Sequence, residues 1–178
     1  LGELLELSRL EGAAREDSQE PVDVVGLMND ARLAFDGHAN IASIIVNAES
    51  TAQLHGNSAE IETVIINLLS NATRYTPPDG TITLTWRSDA KGAELVVADT
   101  GEGIDAEFIP RLTERFFRVD KGRSRDEGGT GLGLAIVKHV LLRHDAKLVI
   151  ESEPGKGSEF CCRFPPQRLL LTEPVVLS

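Results

Sequence analysis

Asp99-Thr100-Gly101-Glu102-Gly103-Ile104 opens, and Gly128-Gly129-Thr130-Gly131-Leu132-Gly133-Leu134 closes, the stretch around which the chain is read. Seven of the 16 glycines lie between Asp99 and Leu134. An ordered glycine costs backbone entropy, so two clusters framing a polar segment mark places where the backbone needs positive φ or must approach a ligand closely. The segment reads as a hinged lid over a nucleotide. The closing cluster runs directly into Leu134-Ala135-Ile136-Val137-Lys138-His139-Val140-Leu141-Leu142, whose length and apolar density predict a buried helix. Its glycine-rich start would offer free N–H groups and the positive end of the helix dipole to an anion.

The 178 residues suffice for one core, or one domain with an appendage. With 41% hydrophobic and 26% charged residues, the composition is that of a folded globular chain. A net charge of -10 argues against a nucleic-acid partner, which calls for a basic face, and favours a partner with a basic surface. No apolar run has the length of a membrane helix and no signal-peptide pattern opens the chain, so a soluble chain is expected; opening at Leu1 with no Met, it is expected to be a piece of a longer protein. Cys161 and Cys162 are adjacent in a predicted strand and should point to opposite faces as reduced packing residues.

Outward from the glycine clusters, Leu1 to Gly12 predicts a short helix with Leu1, Leu4, Leu5 and Leu10 on its apolar face, too short to stand without a partner. Residues 13–20 read as a linker. Pro21 to Val24 suits an edge strand, Val25 to Gly37 a helix, and Ile41 to Val46 and Ala52 to His55 two strands. Ser58 to Tyr75 carries the clearest helical pattern, with Ile61, Val64, Ile65, Leu68, Leu69 and Ala72 as its core stripe. Asn57 is placed to cap it, with Glu60 as the reciprocal member of a capping box. Thr76-Pro77-Pro78-Asp79-Gly80 ends that helix. Thr81 to Arg87 and Ala93 to Ala98 then form an antiparallel hairpin, as do Ala146 to Ser152 and Ser158 to Phe164. Between them, Asp105 to Leu112 suggests a short helix, and Glu114 to Glu127 a mobile, charged segment latched by Phe116, Phe117 and Val119. The tail from Pro165 to Ser178 has no clear assignment.

Asn67, Asn71 and Arg74 recur at i, i+4 and i+7 beside the core stripe, so they point together. Asn is a poor interior helix former, and two a turn apart suggest carbonyl oxygens for a hard cation such as Mg²⁺, which commonly takes its other ligands from waters and phosphates. On the helix alone, a solvated polar flank accounts for them equally well. No G-x-x-x-x-G-K-[ST] is present, which excludes a P-loop. Gly101-Glu102-Gly103-Ile104-Asp105-Ala106 satisfies a loose dinucleotide pattern, but its strand is paired to its neighbour by a tight turn rather than set in a parallel βαβ unit.

Asn67-Leu-Leu-Ser-Asn71-Ala-Thr-Arg74-Tyr75-Thr, Asp99-Thr-Gly-Glu-Gly103-Ile, Arg115-Phe116-Phe117-Arg118 and Gly129-Thr-Gly131-Leu-Gly133-Leu resemble the N, G1, F and G2 boxes of bacterial sensor histidine kinases. Gly155-Lys-Gly157 resembles the G3 turn. The resemblance spans about residues 1 to 164 in the family's order and spacing, and the run from Arg118 through Lys138-His139 to Ile150-Glu-Ser looks most like phosphate-regulon sensor kinases.

The resemblance implies an α+β, two-layer sandwich of the Bergerat type, a mixed sheet packed on three helices, binding ATP with Mg²⁺. Residues 1–12 would be the end of a dimerisation and phosphoacceptor helix, 13–20 a linker, 21–165 the ATP-binding domain and 166–178 a tail. By the same resemblance Asn71 would coordinate Mg²⁺ with Asn67 assisting, Arg74 would meet phosphate oxygens, and the Tyr75 ring would pack on adenine. Asp99 would accept from the adenine amino group, with Gly101 and Gly103 letting the base sit close and Ile104 and Phe117 grouped with the nucleotide contacts. Arg118 would approach the γ-phosphate, while Gly129, Thr130, Gly131, Leu132 and Gly133 would cradle the phosphates. Leu112 stands where the F box often has an aromatic residue or Ile.

No His-Glu-x-Arg-x-Pro acceptor is present, and His38, His55, His139 and His144 read as surface or packing residues. The implied reaction donates the γ-phosphate to a histidine on a separate helical domain, for relay to a response-regulator aspartate. The implied setting is the cytoplasmic part of a homodimeric inner-membrane sensor. ATP-hydrolysing relatives of the gyrase and chaperone type carry a Glu four residues before the metal Asn; Asn67 stands there and cannot act as a base.

Overall fold

The computed structural model describes residues 2–12, 19–38, 40–119 and 130–170. The order of elements is α1 (Gly2–Gly12), β1 (Glu20–Val22), α2 (Val24–Asp36), β2 (Ser43–Ala48), β3 (Gln53–Gly56), α3 (Ser58–Tyr75), β4 (Thr81–Asp89), β5 (Gly92–Asp99), α4 (Gly133–Arg143), β6 (Lys147–Glu153), β7 (Gly157–Phe164) and β8 (Leu169–Leu170). Five strands form one sheet in the order β2-β4-β5-β7-β6, with β2 parallel to β4 and the remaining pairs antiparallel. Helices α2, α3 and α4 cover one face of it, giving the mixed, two-layer α+β architecture. The antiparallel β4–β5 pair removes the dinucleotide reading of Gly101 to Ala106.

The period-2 pattern sets the register of the sheet. Ile82, Leu84 and Trp86 of β4, Leu95 and Val97 of β5, and Phe160, Cys162 and Phe164 of β7 all turn toward the helices and are buried. Trp86 donates from Nε1 to the Ala52 carbonyl at 2.9 Å and meets Phe164 edge to face, so its one polar atom is satisfied inside the core. The α3 stripe is buried throughout and rests on this layer. Cys161 and Cys162 are free and on opposite faces, as their adjacency predicts. Burial pushes the Cys161 thiol up to about 12, and its S–H bond to Glu94 acts in the same direction; both cysteines stay protonated packing groups.

Four local expectations are corrected. In α1 the buried leucines are Leu7 and Leu10, whereas Leu4 and Leu5 are 43% and 70% exposed. The inward face also carries Glu3 and Glu6, which sequence hydropathy places outside, because each finds a hydroxyl partner, Thr130 and Thr63 respectively.

The capping box at α3 is half formed. Asn57 Oδ1 accepts from the Glu60 N–H at 3.1 Å, but Glu60 does not reach back. Its carboxylate instead takes the Arg143 guanidinium of α4, Nε to Oε1 at 2.5 Å and Nη2 to Oε2 at 3.4 Å. The Asn57 N–H donates to His144 Nε2 at 3.0 Å. The short helix expected over Asp105 to Leu112 is only a 3-10 turn, Ile109–Arg111, with Pro110 inside it. Finally, Pro166–Arg168 forms a second such turn, and β8 pairs with β3 to complete a small β1-β3-β8 sheet that the sequence left unassigned. Leu1, the linker residues 13–18 and the last eight residues of the tail lie outside the described residues.

His144 follows α4 and is 1% exposed. Its Nδ1–H donates to the Val140 carbonyl at 2.8 Å while Nε2 accepts from Asn57, so the ring is held neutral in one tautomer. Burial lowers its pKa, with Arg168 and Arg143 adding to the effect against the opposing pull of the Val140 carbonyl and Glu60. The folded chain therefore binds fewer protons than the unfolded chain once the pH falls below the ordinary imidazole value of 6.5. This contribution to stability is complete above that pH and is lost on acidification through the lowered folded value. The urea midpoint of the native chain should drop between about pH 7.5 and pH 5, and His144→Gln should flatten that drop. Parallel pH profiles for the two proteins would contradict the assignment.

Candidate functional site

A cavity of about 420 Å³ opens between α3, the end of β5 and the start of α4. Each wall has a local cause. The α3 wall exists because Asn67, Asn71 and Arg74 share one flank of the helix; all three line the cavity, and Tyr75 joins them in the last helical position. Asn67 donates its amide to the Thr63 carbonyl at 2.8 Å, a back-bond along its own helix. That contact turns its Oδ1 toward the start of α4, where a Cβ on Gly133 would stand 2.9 Å from it.

The floor is set by β5. Asp99 closes the strand, and its Oδ1 accepts from the Gly101 N–H at 2.9 Å, which bends the chain into the first glycine cluster. Burial raises the Asp99 pKa, and N–H bonds from Gly101 and Ser158 hold it back. The carboxylate is thus desolvated and oriented before any ligand arrives. Gly103 has φ +73°, and any side chain there would run into the Glu153 carbonyl, so only glycine fits the position. Its neighbour Ile104 is pinned by its N–H bond to Ser152 Oγ at 2.8 Å, and Gly155 N–H bonds the Glu102 carbonyl at 2.8 Å. The first glycine cluster is therefore fastened to the β6–β7 turn.

The opposite wall comes from the residues around Phe117 and from α4. Phe117 faces the cavity, stacked near Phe108 at 6.3 Å and beneath the Arg111 guanidinium at 4.3 Å. Phe116, by contrast, is 61% exposed and has φ +63°, held by its N–H bond to the Gly131 carbonyl at 3.0 Å. A Cβ on Gly131, itself at φ +80°, would stand 2.8 Å from the Phe116 Cα, so this position also excludes a side chain. Helix α4 begins at Leu132 with no side-chain cap bond among the described residues, and its first turn borders the cavity through Gly133 and Leu134.

Of the residues singled out from sequence, Asn67, Asn71, Arg74, Tyr75, Asp99, Gly103, Ile104, Phe117, Arg118, Thr130, Gly131 and Gly133 line this one cavity. Gly101 faces a separate depression beside Thr76 and Pro77 and reaches the cavity only through its bond to Asp99. The Leu132 side chain is 2% exposed and belongs to the core, leaving only its backbone to a ligand. Gly129, and the part of the lid expected up to Glu127 that follows Val119, lie outside the described residues. Leu112 is buried and forms part of the wall, so an aliphatic residue closes the position.

Sequence reasoning missed Ser158 and Phe160 of β7 and Glu3 of α1. The β7 pair was discoverable, since Ser158 lies directly across from Asp99 on the same face. Nothing in the sequence signalled that Glu3 would reach Thr130. Nor was it apparent that Glu11 would pair with Arg115.

Comparison with known proteins agrees with this architecture. Residues 56–168 match the family model described as histidine kinase-, DNA gyrase B-, and HSP90-like ATPase. The chain is 46% identical to the phosphate regulon sensor protein PhoR of Pseudomonas aeruginosa over 177 residues, covering 97% of this chain and 40% of that protein. It is 41% identical to the sensor-like histidine kinase SenX3 of Mycolicibacterium smegmatis, covering 93% of this chain and 44% of that protein. The chain thus spans about two-fifths of the length of these relatives.

Among solved structures, the mycobacterial sensor histidine kinase MprB superposes with a TM-score of 0.69 at 29% identity, over 83% of this chain and 97% of that one. Full-length ShkA, solved in complex with AMPPNP, gives 0.76 at 27% identity, over 92% of this chain and 34% of that one. The motifs, the mixed sheet under three helices and the matched model together assign the chain to the histidine kinase-, DNA gyrase B- and HSP90-like ATPase family, as a catalytic domain of the sensor histidine kinase type.

Proposed function

We propose that the cavity binds ATP with Mg²⁺ and that the domain donates the γ-phosphate to a histidine on a separate helical domain, for relay to a response-regulator aspartate. The carrying observation is the convergence of Asp99, the Asn67/Asn71/Arg74 flank and the α4 start on one cavity. A base-reading acceptor, carboxamide oxygens and an open helix N-terminus are what an adenine, a cation and a polyphosphate respectively need.

Asn71 is the residue for the cation, assisted by Asn67. Asn67 and Asn71 both bring carboxamide groups to the cavity, a donor set that fits a hard cation drawing its remaining ligands from phosphates and water. When bound, Mg²⁺ would neutralise phosphate charge. Arg74 and Arg118 supply fixed positive charge in the same cavity, and phosphoryl transfer depends mainly on such positioning and neutralisation. Tyr75, Ile104 and Phe117 give the base an apolar seat, and Gly101, Gly103, Gly131 and Gly133 with Thr130 and the Leu132 backbone bring main chain close to base and phosphates.

Residues 2–12 fit the end of a dimerisation and phosphoacceptor helix, and the intact protein would be a homodimeric sensor whose catalytic part is cytoplasmic. No helix among the described residues is long and apolar enough to cross a membrane. The test is transfer: incubating the chain with γ-labelled ATP, Mg²⁺ and a supplied phosphoacceptor domain should label the acceptor histidine. Phosphate release without labelling would instead favour a hydrolytic relative.

A further inference from the structure

Behind Asp99 runs a row of three polar side chains that crosses the sheet. Ser158 is the register partner of Asp99, and Ser152 is the register partner of Ser158. All three point to the helix-covered face. Ser158 is 9% exposed and lines the cavity with Asp99, while Ser152 stands behind it. Ser152 Oγ has three partners: the Gly157 carbonyl at 3.0 Å, the Ile104 N–H at 2.8 Å and Ser158 Oγ at 2.7 Å.

A hydroxyl has one proton and two lone pairs, so these contacts can be counted. The Ser152 proton goes to the Gly157 carbonyl, and one lone pair takes the Ile104 N–H. The lone pair that remains can be met only by a proton from Ser158. The Ser158 hydroxyl thereby spends its proton backward, into the sheet, and presents lone pairs to the cavity beside a carboxylate that also only accepts. Two adjacent acceptors form the floor where the base would sit.

We propose that Ser152 is a positioning residue for base selectivity: by fixing the direction of the Ser158 proton, it makes the floor accept a 6-amino purine and reject a 6-oxo purine. This rests on the adenine-nucleotide reading of the cavity. An exocyclic amino group brings two protons to the two acceptors, directly or through a water, whereas a 6-oxo group brings a lone pair and leaves buried acceptors unmet. Asp99 alone cannot supply this second element of discrimination.

Calorimetric titration of the chain with ADP and IDP measures the selectivity as a ratio of Kd values. The unaltered chain should prefer ADP. Ser152→Ala frees the Ser158 proton to turn outward, so the preference should shrink about tenfold, the size of one hydrogen-bond difference. Ser152→Thr keeps the hydroxyl and should restore it. Loss of the Ile104 tether by itself would weaken both nucleotides together and leave the ratio where it was. Ser158→Ala removes the same acceptor without touching Ile104, and there too the preference should shrink. An unchanged ratio in either alanine variant overturns the proposal. Failure of the unaltered chain to bind ADP, or to prefer it over IDP, overturns the adenine reading itself.

Discussion

Asn71→Ala is expected to weaken binding of a non-hydrolysable ATP analogue in the presence of Mg²⁺ by about 100-fold or more while leaving the unfolding midpoint where it was. The two halves of that expectation have different causes. Asn71 is only partly buried on α3 and turns into the cavity, away from the stripe formed by Ile61, Val64, Ile65, Leu68, Leu69 and Ala72. Alanine is the better helix former, so the fold loses no packing and gains slightly in propensity. The cation, however, loses the carboxamide oxygen that the chain offers it, and the triphosphate loses the neutralisation the cation brings. Titration calorimetry with and without Mg²⁺ reads both. An affinity equal to that of the native chain would remove Asn71 from the metal site.

The second large effect concerns the fold. Glu60→Ala should cost about 3 to 5 kcal/mol, because it removes the two-pronged carboxylate contact from a guanidinium that stays buried. Both side chains are under a tenth exposed, and the contact joins α3 to α4 in two-pronged geometry. Arg143 also reaches the Leu10 carbonyl at 3.5 Å, so α1 is tied to the same point. For a domain of this size the loss corresponds to a fall of roughly 10 °C in the unfolding midpoint. Replacing both partners together, Glu60→Leu with Arg143→Met, should recover most of it, since neither charge of the pair is then left buried. A single variant as stable as the native chain, or a double variant worse than the single, would contradict the account.

The parts of the molecule that were legible from sequence are those whose determinants are local. Helix α3 was readable end to end because its stripe, its Asn57 cap and the Pro77-Pro78 stop are all written within a few residues of one another. The two hairpins were readable for the same reason, from alternation and glycine turns. The flank of Asn67, Asn71 and Arg74 followed from helical spacing alone, although nothing local could say what lay opposite.

What escaped was settled by partners distant in the chain. Glu60 is a capping residue by pattern, yet Arg143, 83 residues away, offers its carboxylate a charge-assisted bond that the Asn57 N–H cannot match. The inward face of α1 was misjudged because Glu3 and Glu6 meet hydroxyls supplied by Thr130 and Thr63. Strand β8 has two residues and exists only because β3 is there to pair with it. Ser158 has the signature of any polar residue in a strand until β5 sets Asp99 across from it.

The claim beneath all of this is that one cavity receives base, cation and polyphosphate together. Titrating the unaltered chain with a non-hydrolysable ATP analogue, with and without Mg²⁺, tests it most directly. The account predicts a single site per chain whose affinity rises when Mg²⁺ is added. Absence of binding, or binding that ignores Mg²⁺, would contradict it.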